Sequence, residues 1–430
     1  SPLLPSASMK PTAIICWTLL AIVAVAMPVM TELAKRVAAS ARQIEPAVDD
    51  FTESFTGRYT LGSVRMFPSQ KQAFVNQIES RNGPAGQRVL DAVLLGEIQS
   101  SDVALQRLEA IDTPDAAALR AWYAQREETP QLELFRERHP WFADLALVND
   151  RPETDPLRQS VMQRAARTIQ FAAAALIVGV IGFLVSIGLA ITAIVLIATG
   201  KLHYAAGRTR GPAHYYIEGF TIYFFGFIGA SIAIELVWPD APMALRIVPG
   251  LLAMAAGLAW PLIRGAKRND YRHNVGMHTG RGVFTEIAAG IGGYLACMPL
   301  VGVALMISVL IMSLSGADAS HPIKDEITKT SPWLLLLLAA VYAPITEELT
   351  FRGLMLANLR ARWGVIFSGL LSGLIFAAVH PQGWAAIPVL MTIGFVMALL
   401  RSWRGSIIAP ITAHALNNGT VVTLMVLLMR

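Results

Sequence analysis

The sequence is poor in charged residues. Aspartate, glutamate, lysine and arginine together make up 15% of its 430 residues, whereas 54% are hydrophobic. A soluble globular domain carries about 25% charged residues, so this composition excludes an ordinary soluble protein and predicts a polytopic membrane protein. The net charge of +5 is explained by basic segments between apolar runs, and no nucleic-acid partner is expected.

Cysteine is also scarce. The two cysteines, Cys16 and Cys297, both lie inside apolar runs. Neither position suits a structural disulfide, and two isolated thiols do not make a thiolate zinc site. A disulfide framework and a cysteine-bound metal are therefore not expected.

Apolar runs long enough to cross a bilayer recur along the chain. Nine crossings are predicted, at residues 12–30, 169–199, 215–237, 243–263, 283–314, 333–359, 365–379, 384–400 and 406–429. Residues 33–167 instead have the scattered charge of a soluble protein and apolar residues at helical spacing. We expect an all-α membrane protein with a mostly helical extramembrane domain, in which residues 51–62, rich in threonine and aromatic residues, are extended.

The chain is predicted to have four parts. Residues 1–8 precede Met9 and are expected to be a cloning remnant; 9–32 form a transmembrane anchor, 33–167 an extracytoplasmic domain, and 168–430 a polytopic domain.

Basic residues between the spans predict the orientation. They cluster at residues 200–214, 264–281, 360–362 and 401–404. All four clusters fall on one side if the spans alternate, and the positive-inside rule makes that side cytoplasmic. We expect a multi-pass protein of the cell (inner) membrane with a cytoplasmic N-terminus. Glu218, Glu235 and Glu286 lie near span ends, where water is expected to reach them.

The sixth span places two carboxylates and a guanidinium at bilayer depth, where a charge costs about 2.5–3.5 kcal/mol and indicates function. Pro344 is expected to kink this helix. Glu348 and Arg352 are four residues apart and can pair on one face. Glu347 is rotated by ~100° and needs a partner on another helix. The alternative is that the three charged residues have only a structural role and hold neighbouring helices together.

Two later spans repeat this feature. His380 follows Phe376 by four residues, and His414 and Asn418 share one face of the last span. A lone buried histidine is usually a core residue, but Glu347, both histidines and Asn418 lie in one layer, which indicates a shared cavity. A carboxylate and an imidazole can activate water there, while the second imidazole and the amide can hold an oxyanion. This chemistry favours hydrolysis of a peptide presented within or beside the membrane.

These motifs resemble those of the CPBP family, the CAAX-protease and bacteriocin-processing (Abi) intramembrane proteases. The family patterns EExxxR, FxxxH and HxxxN stand here as Glu347-Glu348-Leu-Thr-Phe-Arg352, Phe376-Ala-Ala-Val-His380 and His414-Ala-Leu-Asn-Asn418. The resemblance covers a motif core at residues 283–430 and does not reach 33–167. It implies a glutamic-type intramembrane protease of about eight helices, to which this chain adds the anchor and the extramembrane domain.

The resemblance also implies roles for single residues. Glu347 and His380 would activate the water, and His414 and Asn418 would form the oxyanion site. The supporting residues would be Glu348, Arg352 and Phe376.

No cofactor is expected. The chain lacks HExxH, and an asparagine plus one carboxylate is a poor zinc set beside two histidines, so a metal-free water is favoured. Zinc held by Glu347, His380 and His414 is the alternative.

The expected partners are the lipid bilayer, a membrane-embedded or membrane-associated protein or peptide substrate, and a protein bound by residues 33–167. Two other functions stay open. A proton-coupled carrier would predict an internal repeat, which the sequence does not show. A non-catalytic immunity or scaffold protein would keep the fold without the chemistry.

Overall fold

The computed structural model describes residues 9–41, 50–238, 241–315 and 330–429, and within these ranges all regular structure is helical. The predicted remnant at residues 1–8 lies outside them. The main helices are Pro11–Ala41, Asp50–Met66, Lys71–Glu79, Ala85–Ile98, Ser101–Glu109, Pro114–Gln125, Pro130–Arg138, Pro140–Val148, Pro156–Ala198, His214–Val237, Met243–Arg246, Val248–Ile263, Arg268–Val275, Val283–Ser315, Pro332–Arg360, Val365–Ala378, Ile387–Arg404 and Ile408–Met429. Short 3₁₀ turns lie at Pro68–Gln70 and Trp384–Ala386. We call Pro332–Arg360 the central helix and Ile408–Met429 the terminal helix.

The protein is an all-α polytopic membrane protein, as its composition predicts. Six of the described helices are long and apolar enough to cross a membrane: Pro11–Leu33, Pro156–Ala198, His214–Val237, Val283–Ser315, Pro332–Arg360 and Trp384–Arg404. Two further predicted spans form shorter apolar helices, Val248–Ile263 and Val365–Ala378. The ninth is the terminal helix, whose 22 residues include the polar His414, Asn417 and Asn418.

The chain divides into two compact units. One combines the N-terminal helix up to Lys35 with Gly182–Val426, and the other is Arg36–Ile181. The division falls inside the long helix Pro156–Ala198.

The Arg36–Ile181 unit is built from short helices around one apolar core. At its centre, Leu90, Val93, Leu119, Phe135 and Leu145 are each at most 1% exposed. A threonine directly before a proline begins two of these helices, because the hydroxyl oxygens of Thr113 and Thr129 accept backbone N–H groups of the first turn. Each proline then occupies the first helical position, where a missing N–H is tolerated.

The prediction that residues 51–62 are extended is wrong, because they lie within the helix Asp50–Met66. Two glycines show why packing outweighs the β propensity of the threonines and aromatics. A Cβ on Gly57 would lie 2.7 Å from the ring of Phe142, and one on Gly62 would lie 2.6 Å from the backbone oxygen of Ala165. The glycines therefore allow this helix to approach its neighbours closely.

In the membrane unit, the central helix packs against several others through aromatic rings. Phe351 makes edge contacts with Phe220 at 5.0 Å and with Phe376 at 5.2 Å between ring centroids. The N-terminal helix contacts the same helix, since the indole of Trp17 donates to the Asn358 side chain at 3.0 Å. The first span therefore packs with the polytopic bundle.

The predicted basic segments meet at one end of this unit. The backbone N–H of Ala206 donates to the Ser402 carbonyl at 3.0 Å, and the Thr209 hydroxyl donates to the Ala357 carbonyl. The Asn274 amide donates to the Arg210 carbonyl at 2.8 Å. The loop before His214 is therefore bound to the ends of the central helix and of Ile387–Arg404.

The expectation that water reaches Glu218 and Glu286 is wrong, because their side chains are 9% and 0% exposed. Glu218 accepts from the Trp260 indole at 2.9 Å and from the Arg264 guanidinium at 3.1 Å, whereas Glu286 is closed to water entirely. Its carboxylate accepts from the Arg404 guanidinium at 2.9 and 2.7 Å and from the Arg281 backbone N–H at 3.0 Å. Glu235 does behave as predicted, since it pairs with Arg246 while 63% exposed.

We predict that Glu286→Ala lowers the free energy of unfolding by about 3–5 kcal/mol, because it leaves the Arg404 charge buried without its partner. Glu235→Ala is the matched control and costs at most about 1 kcal/mol, since its pair is exposed. Thermal unfolding of the purified variants measures both. Equal midpoints for the two variants would contradict the prediction.

Candidate active site

The central helix is not a regular α-helix where it carries the charges. It changes to a π-helical turn at Leu338–Tyr342 and again at Glu348–Met355, with α-helical segments before, between and after. Such π turns are rare in proteins as a whole, but they occur often at functional sites, because the wider turn redirects side chains. Here they fall on either side of Glu347.

Pro344 explains the first irregularity. The π turn before it is closed by the Ala343 N–H, which donates to the Leu338 carbonyl five residues back. The next N–H in this ladder would belong to Pro344, which has none, so the Ala339 carbonyl loses its backbone donor. The Asn418 amide donates to that carbonyl at 3.1 Å. Asn418 thus satisfies a backbone group that the proline leaves unpaired.

Glu347 faces two imidazoles from outside its own helix, as its position on the helix predicts: His414 lies on the terminal helix, and His380 follows the end of Val365–Ala378. Its Oε2 atom lies 3.9 Å from Nε2 of His380 and 3.8 Å from Nε2 of His414. These separations exceed hydrogen-bonding distance, and Oε2 is buried without a hydrogen-bond partner among the described residues. The structure therefore brings together three of the four predicted catalytic residues.

Glu348 and Arg352 form the predicted pair, with 3.0 Å between Arg352 Nη1 and Glu348 Oε1 and both side chains 0% exposed. Arg352 also donates to the Gly394 carbonyl at 2.9 Å. The spacing alone did not predict a second partner of the carboxylate: the same Oε1 lies 2.8 Å from Nδ1 of His414. Glu348 thus joins the central helix to the terminal helix.

Hydrogen bonds fix the orientation of both imidazoles. Nδ1 of His380 lies 2.5 Å from the Phe376 carbonyl, which can only accept, so Nδ1 carries a proton. Nδ1 of His414 likewise donates to the Glu348 carboxylate. In both neutral rings the lone pair is then on Nε2, the atom that faces Glu347.

The ring of Phe376 packs between these groups. Its centroid lies 4.2 Å from that of His380 and 6.0 Å from that of His414. The Arg352 guanidinium lies over the face of the Phe376 ring, 4.7 Å from the ring centroid, as a cation–π contact. The aromatic residue therefore holds both imidazoles and the guanidinium at set distances.

Sequence reasoning missed Asn417 and Tyr294. The Tyr294 hydroxyl donates to the Asn417 carbonyl oxygen at 2.7 Å, and the Asn417 amide donates to the Asn418 carbonyl oxygen at 3.0 Å. This chain of hydrogen bonds fixes which side of the Asn418 amide donates. Two consecutive asparagines at bilayer depth were the available signal, whereas nothing in the sequence points to Tyr294.

Burial differs across the cluster. The side chains of Glu347 and His380 are 23% and 21% exposed, whereas His414 is 3% exposed. The cluster is therefore accessible from the Glu347–His380 side and closed behind His414.

The donor types of this cluster suit zinc, but their spacing does not. Tetrahedral zinc with bonds of ~2.0–2.1 Å places ligand atoms about 3.4 Å apart. The separations of 3.8 and 3.9 Å are wider, and among the described residues no group of three candidate ligands is arranged to hold a metal ion. The residues as placed do not fit a zinc centre.

Comparison with known proteins supports the resemblance. Residues 329–420, which contain all three motifs, match the family described as type II CAAX prenyl endopeptidase Rce1-like. The chain is 24% identical over 155 residues to the "Putative membrane peptidase YdiL" of Bacillus subtilis (strain 168), a match that covers 36% of this chain and 59% of that protein. It is 30% identical over 92 residues to an "Uncharacterized 24.3 kDa protein" of Escherichia coli, covering 20% of this chain and 42% of the relative.

The chain thus spans less than two thirds of either curated relative. No solved structure matches it. The predicted membership of the CAAX-protease group is confirmed for the segment that carries the motifs.

We predict that Glu348→Leu lowers the free energy of unfolding by about 3–5 kcal/mol, because it leaves the buried Arg352 charge unpaired. The double variant Glu348→Leu/Arg352→Met removes both charges and is expected to regain a large part of this loss. Thermal unfolding of both variants tests the pair. A double variant no more stable than the single one would show that the two charges are not coupled.

Proposed function

Because residues 329–420 belong to the Rce1-like family, we propose that this protein is an intramembrane endopeptidase that hydrolyses a peptide bond with a water activated by Glu347 and His380. The observation that carries the proposal is the convergence of two imidazole Nε2 atoms on one carboxylate oxygen, at 3.9 and 3.8 Å. Two atoms at these separations can both bind one water molecule, since hydrogen bonds of ~2.8 Å from each meet at a common point.

Glu347 is the base in this proposal. Its carboxylate takes one proton from the water while the other O–H donates to Nε2 of His380, which orients the oxygen lone pair toward the scissile carbonyl carbon. Attack forms a tetrahedral intermediate. When the C–N bond breaks, the proton held by Glu347 passes to the leaving amine.

The oxyanion needs hydrogen-bond donors. Asn418 uses one N–H for the Ala339 carbonyl and keeps a second for this role. His414 can donate from Nε2 only as an imidazolium, because its Nδ1 proton is held by Glu348. Asn418 is thus the donor that does not depend on protonation. For His414, the hydrogen bond to Glu348 fixes the proton on Nδ1, so that Nε2 can donate only in the imidazolium form.

The substrate in this proposal is a membrane-associated protein or peptide. Glu347 and His380 form the accessible side of the cluster; Glu347 lies on the central helix, which is long and apolar enough to cross a membrane, and His380 directly follows the apolar helix Val365–Ala378. A water-soluble chain would lose its solvation on the way to this depth. No cofactor is part of the proposal.

We further propose that the basic end of the membrane unit faces the cytoplasm of the cell, with the N-terminus on that side and residues 33–167 outside. The bonds that join the loop before His214 to Ala357 and Ser402 support placing the basic segments on one side. The extramembrane domain would then bind a partner or substrate outside the cytoplasm.

We predict that Glu347→Gln and His380→Ala each abolish cleavage, because each removes one of the two groups that activate the water. The measurement compares peptides released from membranes that contain the intact protein or a variant. The controls are Glu235→Gln and His203→Ala, which change an exposed glutamate and an exposed histidine outside the cluster.

Both active-site variants are expected to purify in normal yield with unchanged unfolding midpoints. Full cleavage by either variant, or no peptide that depends on the intact protein, would overturn the proposed activity. Adding prenylated and unprenylated forms of a released peptide sequence then defines the substrate class.

Exhaustive chelation is predicted to leave activity unchanged, because the reaction proposed here uses no metal ion. Activity is measured after treatment with a strong zinc chelator and after zinc is added back. Loss of activity that zinc restores would instead assign Glu347, His380 and His414 as ligands.

A further inference from the structure

A second polar cavity lies in the membrane unit toward its basic end. The loop before His214, the helix Arg268–Val275, the central helix and Ile387–Arg404 all contribute to its wall, and the polar side chains that line it are Thr209, His273, Asn274, Arg352, Arg360 and Arg401. It has room for about one water-sized particle. A polyatomic ligand would not fit.

Two of the guanidiniums in this wall have no counter-charge. Arg401, 2% exposed, donates to the carbonyls of Gly405, His273 and Asn274 at 2.6, 3.1 and 2.9 Å. Arg360 donates to the Ala206 carbonyl. Neither forms an ion pair with a carboxylate in the described part of the chain, and the two charges repel each other.

Buried N–H donors of this wall are also unused. Nε of Arg352 and Nε of Arg401 are both buried, and neither has a hydrogen-bond partner within the described ranges. Nearly all buried donors in proteins are paired, and a donor on a charged group is the most costly to leave unpaired. Both arginines line the cavity, and unused donors on buried cations favour a ligand that accepts hydrogen bonds.

The environment is positive as well as rich in donors. Burial and, after it, the charge of Arg210 and then of Arg401 hold the pKa of His273 below its usual range. A water molecule needs acceptors for its own protons, whereas an anion needs only donors and gains from the positive field. A buried positive charge without a partner costs several kcal/mol, which an anion would offset.

We propose that this cavity is a binding site for a single small anion of halide size, with chloride as the ion available in cells. The anion accepts from the guanidiniums of Arg360 and Arg401 and neutralises the positive charge that these two residues share. The site is separate from the Glu347 cluster, and the proposal does not depend on peptidase activity.

The test is thermal unfolding of the purified full-length protein in sodium chloride and in sodium gluconate at constant ionic strength. Chloride is expected to raise the midpoint saturably, by about 3 °C at high concentration, because it binds only the folded state. Arg360→Gln is expected to lose most of this rise and, in gluconate, to be at least as stable as the unchanged protein, since the substitution removes the repulsion with Arg401. Arg362→Gln, two residues away and exposed, is the matched control and keeps the full rise.

Equal midpoints in the two salts, or an undiminished chloride effect in Arg360→Gln, would overturn the proposal. A second measurement needs no variant: crystals grown in sodium bromide are expected to show an anomalous peak between Arg360 and Arg401. Bromide found only at exposed arginines, or nowhere, would equally overturn it.

Discussion

One fully buried carboxylate, that of Glu348, organises the membrane unit. Its Oε1 accepts from Arg352 on its own helix and from His414 on the terminal helix, 66 residues away. A buried charge is tolerated only with partners in good geometry, so each of the three side chains depends on the other two. The consequence reaches the neighbouring carboxylate, because fixing Nδ1 of His414 turns its Nε2 toward Glu347. Glu348, which has no part in the proposed reaction, thus determines which nitrogen of His414 faces Glu347.

The second constraint is Pro344 inside the central helix. A proline inside a membrane helix leaves a carbonyl without a donor, and lipid cannot supply one. The Asn418 amide does so for Ala339, and the bonds from Tyr294 through Asn417 hold that amide in place. The same asparagine therefore supplies the donor that Pro344 removes, and it lies four residues after His414 on the terminal helix. The proline and the candidate site thus both depend on contacts from the terminal helix.

Local geometry accounts for what could be predicted from the sequence. The four-residue spacing predicted the Glu348–Arg352 pair. The offset of one residue between Glu347 and Glu348 predicted that the partners of Glu347 come from outside the central helix. The contacts that were missed join residues far apart in the chain: Glu348 with His414, and Glu286 with Arg404 across 118 residues. Spacing carries no information about which helices become neighbours. The β propensity of residues 51–62 predicted the wrong conformation for a related reason, since tertiary packing decides that this segment is helical.

Arg352 links the two polar regions of the bundle. Its guanidinium donates to the Glu348 carboxylate, and the residue also lines the cavity that Arg401 and Arg360 make positive. Glu348 neutralises only one of these three cations, because it lies within reach of Arg352 alone. Arg360 and Arg401 instead donate to backbone carbonyl groups, and neither forms an ion pair with a carboxylate in the described part of the chain.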